Sequence, residues 1–219
     1  MRKIDTVLFD LDGTLVNSNE LIIKSFEETF KKYMPNRIFS RKELVDMIGP
    51  PLKETFQIAT DNLSTIQEMI DYYRKVYIES ELDSIKIYPN TINMLKALKD
   101  MKFNLGLVTT KFKKSAMTSI VHYGLDEYLT SYCFLDDIKE HKPHPEPVFF
   151  ALNQFDNYKN VVMVGDNTSD ILAGRNSGTF TCGLEWSIKR DSIKKLNPDF
   201  WINDFLELVD VIKKHNKED

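Results

Sequence analysis

No apolar run in this chain approaches membrane-spanning length. The basic start of MRKIDTVLFD is broken by acids before any signal-like segment can form. A soluble, cytoplasmic protein without a membrane partner is therefore expected. Glycine and proline are sparse, with 8 of each in 219 residues, while 42% of the chain is hydrophobic and 28% charged. That composition excludes collagen-like and disordered chains and leaves enough apolar surface for a real core. An excess of positive charge is also missing. The formal net charge is −4 and no basic arm or stripe stands out, so nucleic acid is not an expected partner. Cysteine is nearly absent: Cys133 and Cys182 stand far apart in apolar stretches and read as buried, reduced thiols. Neither a GxxxxGK[ST] phosphate loop nor a GxS-type nucleophile elbow is found.

What the chain does have is a set of short, continuous apolar runs that stop at polar residues. Thr6–Phe9 stops at Asp10, Leu105–Val108 at Thr109, Thr110 and Lys111, and Val161–Val164 at Gly165 and Asp166. Such runs suit strands buried on both faces of a parallel sheet. Weaker strand candidates are Tyr132–Leu135, Thr179–Gly183 and Phe200–Ile202. Helices are expected at Thr91–Met101, Pro147–Gln154, Asp170–Asn176 and Asp204–Lys214, which makes the chain an open α/β sheet. Between Asn19 and Leu82 the rhythm changes to helices alone: Glu20–Lys32, Arg41–Ile48, Pro51–Ala59 and Ser64–Glu81. The expected organisation is an α/β core of residues 1–16 and 86–219 with a small helical domain, 17–85, inserted through two hinges.

Ligands of open α/β sheets sit outside the carboxyl ends of the strands. Asp10, Asp12, Thr109, Lys111, Asp166 and Asp170 all fall there. Four carboxylates in one place repel unless a cation lies among them, and hard oxygen donors suit Mg²⁺ together with a phosphorylated substrate. One carboxylate of the Asp10/Asp12 pair can attack phosphorus, and the other can protonate the leaving oxygen and then activate water. Gly13 permits the tight turn after the strand. Thr109 can donate to a phosphate oxygen, and Lys142, in HKPHPEP, can offset transition-state charge. Asp166 would complete the metal shell, with Asp170 as ligand or orienting group behind it. Taken singly, each aspartate could be a turn residue or a helix cap; the joint order carries the inference. His141 and His144 lie on a proline-rich loop without helical spacing and read as solvated rather than zinc-binding.

At these residues the chain resembles the haloacid dehalogenase-like (HAD-like) phosphohydrolase superfamily. DLDGT at Asp10–Thr14, VTT at Val108–Thr110, Lys142 in HKPHPEP and GDNTSD at Gly165–Asp170 look like its four motifs in order. The resemblance implies a Rossmann-like open parallel sheet with an inserted helical cap. It also implies Asp10 as nucleophile, Asp12 as acid/base, and Mg²⁺ held by Asp10, the Asp12 carbonyl and Asp166, with phosphate contacts from Thr14, Thr109, Thr110 and Lys142. NSNELI, IGPPLKETF, ILAGRNSGT, EWSIK and NPDFWI further resemble the PpaX-type pyrophosphatase subfamily, which implies hydrolysis of inorganic pyrophosphate. His144, where that subfamily commonly carries Asp, is the one departure noted.

In the cap, Gly49–Pro51 would open a helix whose N–H groups face an anion, and Lys53 and Arg74 could add charge over a second phosphate. A plain helix start and an exposed helical face explain the same residues. A phosphoglycolate phosphatase, or another small-molecule phosphomonoesterase, is the alternative enzyme, because the core motifs address one phosphoryl group alone. A receiver-like switch phosphorylated on aspartate is the non-enzymatic alternative; the DxDGT order and the inserted helices speak against it. No heptad or interface stripe decides between monomer and homodimer.

Overall fold

The computed structural model describes residues 3–217. The chain forms two compact units, one of residues 1–16 with 87–219 and one of residues 17–86. In chain order, β1 (Thr6–Phe9) and the two-residue β2 (Val16–Asn17) precede four helices: α1 (Asn19–Tyr33), α2 (Arg41–Asp46), α3 (Leu52–Phe56) and α4 (Leu63–Ser84). After β3 (Lys86–Ile87) come α5 (Thr91–Asp100), β4 (Asn104–Val108), α6 (Lys113–His122), β5 (Ser131–Cys133) and α7 (Glu146–Leu152). The chain ends with β6 (Val161–Val164), α8 (Thr168–Asn176), β7 (Phe180–Leu184), α9 (Arg190–Lys194), β8 (Phe200–Ile202) and α10 (Phe205–Lys217).

Six strands form one parallel sheet in the order β5-β4-β1-β6-β7-β8, while β2 and β3 pair separately. This is the open α/β sheet that the apolar runs predict and the Rossmann-like form that the resemblance implies. The central strands are buried on both faces because helices cover the sheet on each side, which is why they read as unbroken apolar runs. One face carries Leu8, Val108, Val148, Ala151, Met163 and Ala173 in a single cluster. On the other, Phe9 meets Phe205 edge-on at 6.4 Å, and Phe205 meets Trp186 at 4.9 Å. Cys133 and Cys182 are buried and free.

Strand order and register together place the site. The chain leaves β1 for β4 and β5 on one side and returns to β6 on the other, so β1 is the topological switch point. Phe9 stands level with both Leu107 and Val164. The ladder continues past the strand ends: Asp10 N donates to Val164 O at 3.0 Å and Thr109 N to Cys133 O at 3.0 Å. Asp10, Thr109 and Gly165–Asp166 therefore emerge at one edge and one level.

The unit of residues 17–86 is all helix apart from its short ends. Phe26, Phe30, Phe56 and Tyr73 form its core, with ring centroids 4.9 Å apart for Phe26–Tyr73 and 5.6 Å for Phe30–Phe56. Ser25 and Thr29, buried in α1, return their hydroxyls to Leu21 O and Ser25 O at 2.7 Å, so neither leaves an unpaired donor in that core. Two expectations need correction. α3 is shorter than Pro51–Ala59, because Pro51 is extended and caps the helix instead of entering it. α2 stops at Asp46, ahead of Gly49 at φ 118°. Helix α6 was not expected; only Ala116, Ser119 and Ile120 on it are buried, too thin a stripe to show in the sequence. Among the described residues, no helix is long and apolar enough to cross a membrane.

Leu8 is fully buried in the central strand. Leu8→Ala should cost about 2–5 kcal/mol, read as a lower urea midpoint at unchanged slope; a loss below about 1 kcal/mol would contradict this picture of the core.

Candidate active site

The loop after β1 is wound tightly around one carbonyl. Leu11 O accepts from Leu15 N at 2.9 Å and Val16 N at 3.0 Å, and Gly13 N returns to Val16 O at 2.8 Å. Gly13 has φ +79°, and a Cβ there would stand 2.1 Å from Asp166 Oδ2. Both the backbone and the Asp166 carboxylate therefore need glycine at this position. Gly165 meets the same demand from the other side, since a Cβ would fall 2.4 Å from the Asp170 carboxyl carbon. The bare backbone at these two positions lets the carboxylates crowd together.

Lys142 sits among them, almost wholly buried. Its ammonium donates to Asp10 Oδ1 at 2.9 Å, Asp170 Oδ1 at 2.6 Å and Val108 O at 2.9 Å. Those three bonds use all three of its protons. Asp170 serves two ends at once. Its Oδ1 holds Lys142, and its Oδ2 accepts from Asn167 N at 2.9 Å in the capping box that starts α8. The capping reading and the site reading of Asp170 thus describe two oxygens of one carboxylate.

Asp10, Asp166 and Asp170 each bring one oxygen within 4.8 Å of the others, all three buried. Three acids against one lysine leave uncompensated negative charge in a dry place. Burial, with Asp170 and Asp12 adding and Lys142 opposing, pushes Asp10 from the ordinary 3.8 up to about 7. Burial, then the charges of Asp10 and Asp170, raises Asp166 well above the usual range. Burial alone would lower Lys142, but Asp10 and Asp170 outweigh it and hold the ammonium firmly charged. The donor set consists of hard oxygens in carboxylate excess, which suits a divalent cation of the Mg²⁺ type, and a bound dication would reverse the upward shifts.

Asp12 stands apart from that cluster. Its Oδ1 pairs with Lys111 Nζ at 3.4 Å, both side chains mostly but not fully buried. Thr14 donates its hydroxyl to Asp166 Oδ1 at 3.2 Å, so here it orients a carboxylate. Thr109 Oγ1 accepts from Lys111 N at 3.2 Å, an arrangement that directs its own proton elsewhere. Thr110 is half-buried beside it. Gly49, Lys53 and Arg74 belong to the other unit, with Lys53 exposed on a five-residue helix and Arg74 half-buried on α4. His144 Nδ1 accepts from Glu146 N, His141 Nδ1 lies 3.0 Å from Lys142 O, and among the described residues neither joins a cluster of three potential ligands.

Two neighbours of Asp166 lie outside the four catalytic motifs, and the sequence assigns neither a role in the site, although Ser187 falls in the EWSIK stretch. Ser187 donates to Asp166 O at 2.6 Å. Tyr88, where the chain re-enters the α/β unit, has its phenol raised by burial and then by the Asp166 charge. Lys111 was visible as a strand-end residue, but its pairing with Asp12 was not.

Residues 7–184 match the haloacid dehalogenase-like hydrolase family. The chain is 41% identical over 211 residues to pyrophosphatase PpaX of Bacillus pumilus, covering 95% of this chain and 96% of that one. It is 38% identical over 213 residues to pyrophosphatase PpaX of Listeria monocytogenes, covering 96% and 97%. Among solved structures it resembles a predicted phosphoglycolate phosphatase from Haemophilus somnus, with a TM-score of 0.81 and 26% identity over 95% of this chain and 97% of that one. A family IA HAD hydrolase from Entamoeba histolytica shares the fold, with a TM-score of 0.83 at 20% identity over 96% and 100%.

Without metal, the raised Asp10 means that the native state holds a proton which the unfolded chain releases above the ordinary carboxylate value. The stability this proton supplies is present below 3.8 and is lost as pH rises through about 7. In EDTA, Asp10→Asn should escape that loss. Its unfolding free energy should pull ahead of wild type as pH rises from about 4 to about 7, by a few kcal/mol at most, and Mg²⁺ should close the gap. A difference that does not change with pH would refute the crowding of charge described for this site.

Proposed function

The chain belongs to the haloacid dehalogenase-like hydrolase family, and from that premise we propose that it hydrolyses inorganic pyrophosphate to phosphate, in a Mg²⁺-dependent reaction through a phosphoaspartate on Asp10. The observation that carries the chemistry is the buried set of Asp10, Asp166 and Asp170 around one saturated lysine. The choice of pyrophosphate rests on the relatives named PpaX at 38–41% identity over nearly the whole chain.

Asp10 and Asp166, with the Asp12 carbonyl, would hold the ion, and Asp170 would steady them from behind. When bound, Mg²⁺ supplies positive charge that keeps Asp10 ionised and shields it from the phosphoryl oxygens. Lys142 holds Asp10 Oδ1 at 2.9 Å and fixes the orientation in which the carboxylate attacks phosphorus. As the new O–P bond forms and the bridging P–O bond breaks, protonated Asp12 gives its proton to the leaving phosphate. Asp12 then takes a proton from water, the water oxygen attacks the phosphorus of the phosphoaspartate, and phosphate leaves with Asp10 regenerated. Thr109 and Thr110 donate to the phosphoryl oxygens, and Lys142 balances the charge on Asp10 throughout. Lys111 keeps a positive charge beside Asp12, where the leaving oxygen must lie. Residues 17–86, which carry Gly49, Lys53 and Arg74, would act as the cap.

Phosphoglycolate is the second substrate to consider, because the Haemophilus somnus relative at 26% identity carries that name. Phosphate release from pyrophosphate, 2-phosphoglycolate and a panel of phosphomonoesters, with Mg²⁺ and with EDTA, separates the two. Pyrophosphate should be preferred at least tenfold in kcat/KM, EDTA should abolish release, and Asp10→Asn should lose at least a thousandfold. A preference for phosphoglycolate would keep the chemistry and overturn the substrate.

A further inference from the structure

Asp166 is fixed by more than its own motif. Two polar groups flank the peptide bond that follows it, and each is held by a side chain. Asn167 N–H donates to Asp170 Oδ2 at 2.9 Å, and Asp166 C=O accepts from Ser187 Oγ at 2.6 Å. Asp170 belongs to the recognised motif; Ser187 lies outside all four. From the geometry we infer that Ser187 is a positioning residue for Asp166, setting the orientation in which that carboxylate meets a divalent cation. The inference rests on the proposed reading of Asp166 as a metal ligand.

The hydroxyl has no freedom to do otherwise. Ser187 is 4% exposed, and its oxygen already accepts from Lys189 N at 2.9 Å, so its single proton is committed to the Asp166 carbonyl. Its backbone is pinned on both sides, with Ser187 N donating to Leu184 O and Ser187 O accepting from Arg190 N, each at 3.2 Å. The preceding residue, Trp186, is wedged between Tyr88 at 5.4 Å and Phe205 at 4.9 Å. Phe205 in turn packs on Phe9, the residue before Asp10. A rigid turn after β7 therefore grips the backbone of Asp166, while Thr14 grips its carboxylate from the loop after β1. Removing the Ser187 hydroxyl frees one end of the peptide and lets the carboxylate rotate away from the position it shares with Asp10.

Outer partners of this kind typically change metal affinity by about 10–100-fold. Calorimetric titration of the folded protein with MgCl₂ alone tests the inference without any turnover. Ser187→Ala should weaken the Mg²⁺ dissociation constant about tenfold or more. Ser187→Cys, which keeps the size and a weak donor, should fall between Ala and wild type, and it serves as the test if the alanine variant does not fold. The Mg²⁺ concentration needed for half-maximal phosphate release should rise by the same factor as the dissociation constant. A merely structural role would lower the urea midpoint and leave the dissociation constant alone. Folded variants that bind Mg²⁺ within twofold of wild type would overturn the inference. Asp166→Asn is the control: if it binds Mg²⁺ like wild type, the metal reading of Asp166 itself fails.

Discussion

The ammonium of Lys142 is what allows the rest of this site to exist. Three carboxylates cannot share a buried corner on their own, because desolvation and mutual repulsion act together against each. Lys142 answers two of them directly and fixes its remaining proton on the Val108 carbonyl, at the end of the neighbouring strand. It ties the loop after β1, the end of β4 and the start of α8 into one unit. The pairing is incomplete in charge: one lysine against Asp10, Asp166 and Asp170 leaves the site short of a cation, and that shortage is the physical basis for the divalent ion proposed there.

Around this centre the backbone is shaped to permit contact that side chains would otherwise block. Gly13 and Gly165 are bare where Asp166 and Asp170 press closest. The sheet brings these loops to one level because β4 and β6 flank β1 in matching register. The hydroxyls of Thr14 and Ser187 then hold Asp166 from two loops that are more than 170 residues apart in sequence. Fold and site are thus linked through positions that carry no charge.

Much of this was legible in the chain, for reasons that differ from residue to residue. β1 and β6 were readable because strands buried on both faces are written as unbroken apolar runs. Asp10 and Asp12 drew notice because two acids at a strand end make poor physical sense without a cation. β2 and β3 escaped because two residues carry no periodicity, and α6 because so little of it is buried. Thr14, expected on phosphate, turns its hydroxyl to Asp166, a contact that depends on the fold bringing the loops after β1 and β6 together. Ser187 and Tyr88 meet Asp166 only through the folded sheet, so no local pattern announces them.

The central claim of the proposed mechanism is that Asp10 takes the phosphoryl group. Acid-quenching an Asp12→Asn variant, in which the acid/base step is blocked after transfer, within seconds of mixing with an activated acyl-phosphate donor and Mg²⁺ tests it directly. Mass spectrometry of the N-terminal peptide should show one added phosphoryl group on Asp10, lost on treatment with hydroxylamine. Turnover by the wild-type protein with an unmodified Asp10, or with the label on another residue, would contradict the mechanism.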